Sequence, residues 1–201
     1  MPESAIFQPS GFATEYRATG FVRGRFILKK QQSQLITSEG VVLKAFCCKN
    51  LAQLFTRRPE LLEQEYLWST WLRTSKAGKI KLNLKHFLTT PKFPEEDLLR
   101  MEALCDRFSI RGQVAKINNN TFSIRVQRNS GATPAERKPF ILTISGTLPE
   151  EAKRGQFWEL TCVRDHENLM LSDAKLIKPC RQSKSKKKES KPKPKLKLKC
   201  P

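Results

Sequence analysis

No apolar run approaches the ~20 residues a membrane-crossing helix needs, and the opening MPESAIFQPS lacks the basic and apolar regions of a secretory signal. The expectation is a soluble protein without membrane contact, cytoplasmic or, in a eukaryotic host, nuclear. Histidine is nearly absent, with two residues, and the six cysteines (47, 48, 105, 162, 180 and 200) form no CxxC pair. That excludes the common zinc spacings, so no metal is expected. Adjacent Cys47 and Cys48 argue against a disulfide framework, and reduced thiols follow, with Cys47, Cys105 and Cys162 serving as small apolar residues. The terminal Cys200-Pro201 is not a prenylation motif. There is no GxxxxGK[ST], GxGxxG, GxSxG or HExxH, and Asp165-His166-Glu167 reads as a polar turn. Neither catalysis nor a cofactor is expected.

Acidic residues are also scarce. Nineteen Asp and Glu face 38 Lys and Arg, a formal charge of +19, which points to a polyanionic partner. The excess is local. Residues 1–94 carry 15 basic and 6 acidic side chains, residues 95–177 carry 12 of each, and residues 178–201 carry 11 and 1. The last segment, KPCRQSKSKKKESKPKPKLKLKCP, has too few apolar side chains to repay the entropy of ordering and reads as a disordered basic tail. Such a tail tethers to phosphate, aids solubility or, through Lys184–Lys188, acts as a nuclear address.

Between these lies an internal repeat. Phe21-Val-Arg-Gly-Arg-Phe-Ile-Leu28 answers Ser109-Ile-Arg-Gly-Gln-Val-Ala-Lys116, each a strand pattern with a central glycine that marks a bulge or a sharp coil. Further on, Leu67-Trp-Ser-Thr-Trp-Leu-Arg73 is aligned with Trp158-Glu-Leu-Thr-Cys-Val-Arg164, and Ile80-Lys-Leu-Asn-Leu with Leu169-Met-Leu-Ser-Asp173. Alternation and turn signals place strands near 20–29, 33–37, 41–47, 65–73 and 79–86, then near 108–117, 121–128, 139–146, 156–164 and 168–176. Helical segments are expected at 50–55 and 59–63, with a capped linking helix over 95–105 whose first turn is acidic.

Three strands, a variable helix and two more strands, with glycine in the first strand, resemble the OB-fold, a five-stranded Greek-key barrel. The resemblance covers roughly residues 19–177 and is one of architecture. It implies a mainly β protein of two tandem OB-like barrels: an N-terminal segment (1–18), a basic barrel (19–88), a linker with a helix (89–107), a neutral barrel (108–177) and the tail (178–201). The barrels are expected to pack together. A single mixed domain with two similar hairpins is the competing arrangement.

Period-two alternation puts Lys79, Lys81 and Lys85 opposite Ile80, Leu82 and Leu84, and sets Trp71 and Arg73 on one face with Tyr66, Trp68 and Leu72 on the other. Arg23 and Arg25 share a side of the first strand. Cations for phosphates beside a flat ring for a base are what a binder of single-stranded nucleic acid requires. The candidate site is therefore Arg23, Arg25, Trp71, Arg73, Lys76, Lys79, Lys81 and Lys85, with Lys184, Lys186, Lys187 and Lys188 of the tail. The aligned positions in the second unit, Met170, Ser172 and Ala174, lack the stripe, and lysines at a sheet surface also serve to prevent association. The expected function is non-enzymatic binding of nucleic acid, RNA slightly favoured over ssDNA. The alternative is an assembly module of a replication, transcription or ribosomal complex, whose neutral barrel docks a protein partner while the charge acts as a tether.

Overall fold

A computed structural model describes residues 14–29, 32–129 and 138–179, so the tail lysines Lys184, Lys186, Lys187 and Lys188 and the expected disorder there lie outside the described residues. The first half contains β1 (Arg17–Ile27), β2 (Gln34–Thr37), β3 (Val42–Cys47), helix α1 (Lys49–Arg57), a 3-10 turn (Pro59–Leu62), β4 (Glu65–Thr74) and β5 (Ile80–Leu88). Helix α2 (Glu95–Glu102) follows, then β6 (Arg107–Ile117), β7 (Thr121–Val126), β8 (Phe140–Ser145), β9 (Phe157–Asp165) and β10 (Asn168–Lys178). The protein is mainly β, with each expected strand within a few residues of its place.

The strands pair in two rings of identical order. β1 joins β2 and β4, β2 joins β3, β3 runs parallel to β5, and β5 closes on β4. The second ring repeats this with β6-β7-β8-β10-β9 and its own parallel contact, Met170 to Ser145. Both closures depend on the central glycines. A Cβ on Gly24 would lie 2.4 Å from the Ile36 carbonyl oxygen, and one on Gly112 would lie 2.5 Å from that of Arg125. At these points the first strand turns to serve neighbours on both sides, and no side chain fits.

Each ring is filled by the inward residues of its strands. Trp68 and Phe26 sit in the first, with Phe55 of α1 against them, and Trp158, Phe108 and Phe122 in the second. The Trp68 indole N–H donates to the Gly24 carbonyl at 2.9 Å, which satisfies the polar end of a fully buried ring. β4 departs from alternation, with Tyr66, Leu67 and Trp68 all buried. Leu67 points outward with Phe21 and Leu88, and α2 with Leu104 covers that patch. The helix has the expected acidic first turn, but its N-cap is Pro94 and no side chain caps it, contrary to the expected capped start.

The rings share one ten-stranded sheet because β1 and β6 pair antiparallel. Gly20 pairs with Phe108, and these two residues occupy the same place in their strands, each four positions before the shared glycine. A pseudo-twofold axis therefore passes between them. The register also corrects the repeat alignment. Gly24 pairs with Tyr66 and Gly112 with Trp158, so Trp158 answers Tyr66 rather than Leu67. A one-residue slip exchanges the faces of a strand, and the corrected counterparts of Lys81, Asn83 and Lys85 are Asn168, Met170 and Ser172. The contrast in charge between the units survives this correction.

Candidate functional site

On β5, Ile80, Leu82 and Leu84 are buried while Lys81, Asn83 and Lys85 are partly exposed, as the alternation requires. The register across β3, β5 and β4 builds two rows on this outer face. Lys44, Lys81 and Arg73 form one, and Phe46, Asn83 and Trp71 the next. Trp71 is 52% exposed and Phe46 41%, unusually open for rings on a closed barrel. They stand on strands separated by β5, so roughly 10 Å lies between them.

Each ring has a lysine beside it. Lys44 Nζ is 5.6 Å from the centre of Phe46, and Lys85 Nζ is 4.5 Å from that of Trp71. Lys85 reaches this position through a β-bulge: Ser69 pairs with His86 and Thr70 with Leu84, leaving Lys85 out of the ladder. Partial burial lowers the pKa of its ammonium.

The second ring supplies the facing wall. The Arg73 guanidinium lies 3.7 Å over the ring of Phe140, and both burial and the neighbouring Arg128 lower its pKa. Thr143 N–H donates to Thr74 Oγ1 at 2.9 Å, fastening β8 to the end of β4. Asn129 brackets the start of β1, accepting from Tyr16 N–H and donating to the Tyr16 carbonyl, each at 2.7 Å. Between the rings opens a cleft of about 970 Å³, with Phe46, Trp71 and Lys85 on one side and Arg128, Asn129 and Phe140 on the other.

Of the candidates, Trp71, Arg73 and Lys85 line this cleft, and Lys81 stands in the cationic row beside it. Lys76 is exposed in the turn between β4 and β5. Lys79 is held by Glu167 at 2.7 Å. Arg23 lies at the other end of the ring, where its guanidinium is paired with Glu102 of α2. Arg25 is exposed in a register position opposite Glu65. The fold thus does not bring Arg23 and Arg25 to the ring of Trp71.

Lys44 and Phe46 were missed, although the alternation Lys44-Ala45-Phe46 carries the same signal that singled out β5. Arg128 and Phe140 had no signal in the sequence, because only the packing of the two rings brings them to Arg73. Among the described residues no cluster of His, Cys, Asp or Glu could hold a metal ion.

The pseudo-twofold axis relates this cleft to a second position, and there the sequence differs. Ala18 and Leu72 line the open cleft; their counterparts are Asp106 and Arg164. The Arg164 side chain is only 3% exposed. It donates to both Asp106 oxygens, at 2.6 and 2.8 Å, and to Glu39 of the first ring at 2.8 Å. These charge-assisted bonds hold its pKa above the ordinary arginine value. An ion-pair network occupies the place where the other side leaves a groove.

Residues 110–178 match the model of a family described as a cyanobacterial OB-fold-like RNA-binding domain, C-terminal. The matched span starts within β6 and ends with β10, so it falls on the second ring. No curated protein and no solved structure matches the chain.

Proposed function

We propose that the protein binds single-stranded RNA in the cleft between two tandem OB-like barrels, and that it does so without catalysing a reaction. The observation that carries this reading is the pair of rows on the first barrel: two exposed rings, Phe46 and Trp71, beside the three cations Lys44, Lys81 and Arg73. Bases stack on aromatic faces at ~1–3 kcal/mol each, and cations along the same path take the phosphates. A neutral ligand would need no such row. The likeness of residues 110–178 to an RNA-binding family favours RNA, and it falls on the less basic of the two barrels. In this reading the second barrel is a wall of the binding site, through Arg128 and Phe140, rather than a separate dock for a protein partner.

The test is equilibrium binding of labelled single-stranded RNA and DNA of equal length to the full chain and to its Phe46→Ala/Trp71→Ala variant. Both side chains are exposed, so the variant keeps the core intact. The expected result is tighter binding of RNA than of DNA, with affinity falling at least fivefold in the variant. Undiminished RNA affinity in the variant would refute the cleft as the site.

A further inference from the structure

The row beside the cations is not purely aromatic: its middle member is polar. Asn83 sits on β5 with Phe46 opposite it on one side and Trp71 on the other. Asparagine is disfavoured in strands, and a β-branched residue would pack better between two rings. Its side chain makes no hydrogen bond among the described residues, and it is half-buried on the face that opens into the cleft. The counterpart in the second barrel, where no such pair of rings flanks the position, is Met170.

We propose that Asn83 is the residue that selects the base, and that the base is adenine; this rests on the RNA-binding reading above. The gap of roughly 10 Å between Phe46 and Trp71 is about three times the ~3.4 Å rise of a stacked strand, which leaves room for two nucleotides between those on the rings, and Asn83, midway, is presented to one of them. An amide offers one donor and one acceptor side by side. Adenine offers the complementary pair on both its edges, N6–H with N7 and N6–H with N1, so the match is made whichever edge the strand turns inward. Trp71 and Phe46 hold any base by its face, and Lys44, Lys81 and Arg73 hold any phosphate. Only Asn83 in this row carries directional information about the base edge.

The experiment compares labelled oligo(A), oligo(U) and oligo(C) RNAs of equal length on the full chain, on Asn83→Ala, on Asn83→Asp and on Trp71→Ala, each variant checked for an unchanged melting transition. Wild type is expected to favour oligo(A) on the order of tenfold over the others. Asn83→Ala should bring the three affinities together, and Asn83→Asp, which can only accept, should move the preference off adenine. Trp71→Ala should weaken all three RNAs while the A preference survives. The proposal is overturned if wild type shows no preference for oligo(A), or if that preference persists undiminished in Asn83→Ala. Failure of the underlying site looks different: Trp71→Ala would then leave every affinity unchanged.

Discussion

Replacing Lys81 should change the salt dependence of RNA binding and replacing Lys79 should not, although the two residues are two positions apart in sequence and share a charge. Lys81 stands in the row with Lys44 and Arg73, free to meet a phosphate, whereas Lys79 already faces Glu167 at 2.7 Å. A phosphate contact on a single strand contributes about −0.7 to the slope of log Kobs against log salt. Lys81→Gln should therefore flatten the slope by ~0.7, which removes a roughly 2.6-fold change in affinity between ~50 and ~200 mM salt. Lys44→Gln/Lys81→Gln should flatten it by ~1.4, a roughly sevenfold change over the same range. Lys79→Gln, and likewise Arg23→Gln with its partner Glu102, should leave the slope as it was. Fluorescence anisotropy across a salt series on the full chain measures these differences, and any contribution from residues 180–201 is common to all variants. The reasoning fails if Lys79→Gln flattens the slope as much as Lys81→Gln, or if Lys81→Gln leaves it unchanged.

Arg164→Met should cost about 2 kcal/mol of stability in urea unfolding, through the charge-assisted hydrogen bonds lost to Asp106 and Glu39; a loss under ~1 kcal/mol would show that the network is not structural. The thiol of Cys105 is pushed up to about 11 by burial, with Asp106 adding to the effect. The folded state then keeps its proton while the unfolded chain, near the ordinary value of ~9, gives it up. Stability from this group is complete below ~9 and is lost as pH rises toward about 11, so wild type should lose stability across that window faster than Cys105→Ala does. Parallel curves for the two proteins would exclude it.

Much of this architecture was legible because period-two alternation and paired Arg-Gly strands survive in both halves of the chain. The slip of one residue in aligning Trp158 arose where alternation is broken: Tyr66, Leu67 and Trp68 are all buried, since α2 covers the outer face there, and the pattern no longer says which face is which. The bulge at Lys85 was likewise invisible, since it exists only as a mismatch between β4 and β5. Site residues on a single alternating strand, Trp71 with Arg73 and Lys81 with Lys85, could be read directly. Arg23 was not separable from them by pattern, because its ion pair with Glu102 spans 79 positions in sequence. Phe140 and Arg128 come from the other half of the chain, and only pairing of β1 with β6 sets them beside Arg73.

The pseudo-twofold axis between Gly20 and Phe108 has a bearing on stoichiometry. A duplicated barrel with both clefts open would be divalent and could bring two strands together. Here Arg164, Asp106 and Glu39 fill the place related by the axis to the cleft, so in the proposed reading the paired rings should act as a monovalent receptor. Short RNA should saturate at one strand per chain. That groove lies off the axis, so its walls come from non-equivalent parts of the two rings, and in the proposed reading a bound strand should lie in one direction only, with its 5′ and 3′ ends assigned to different sides of the molecule.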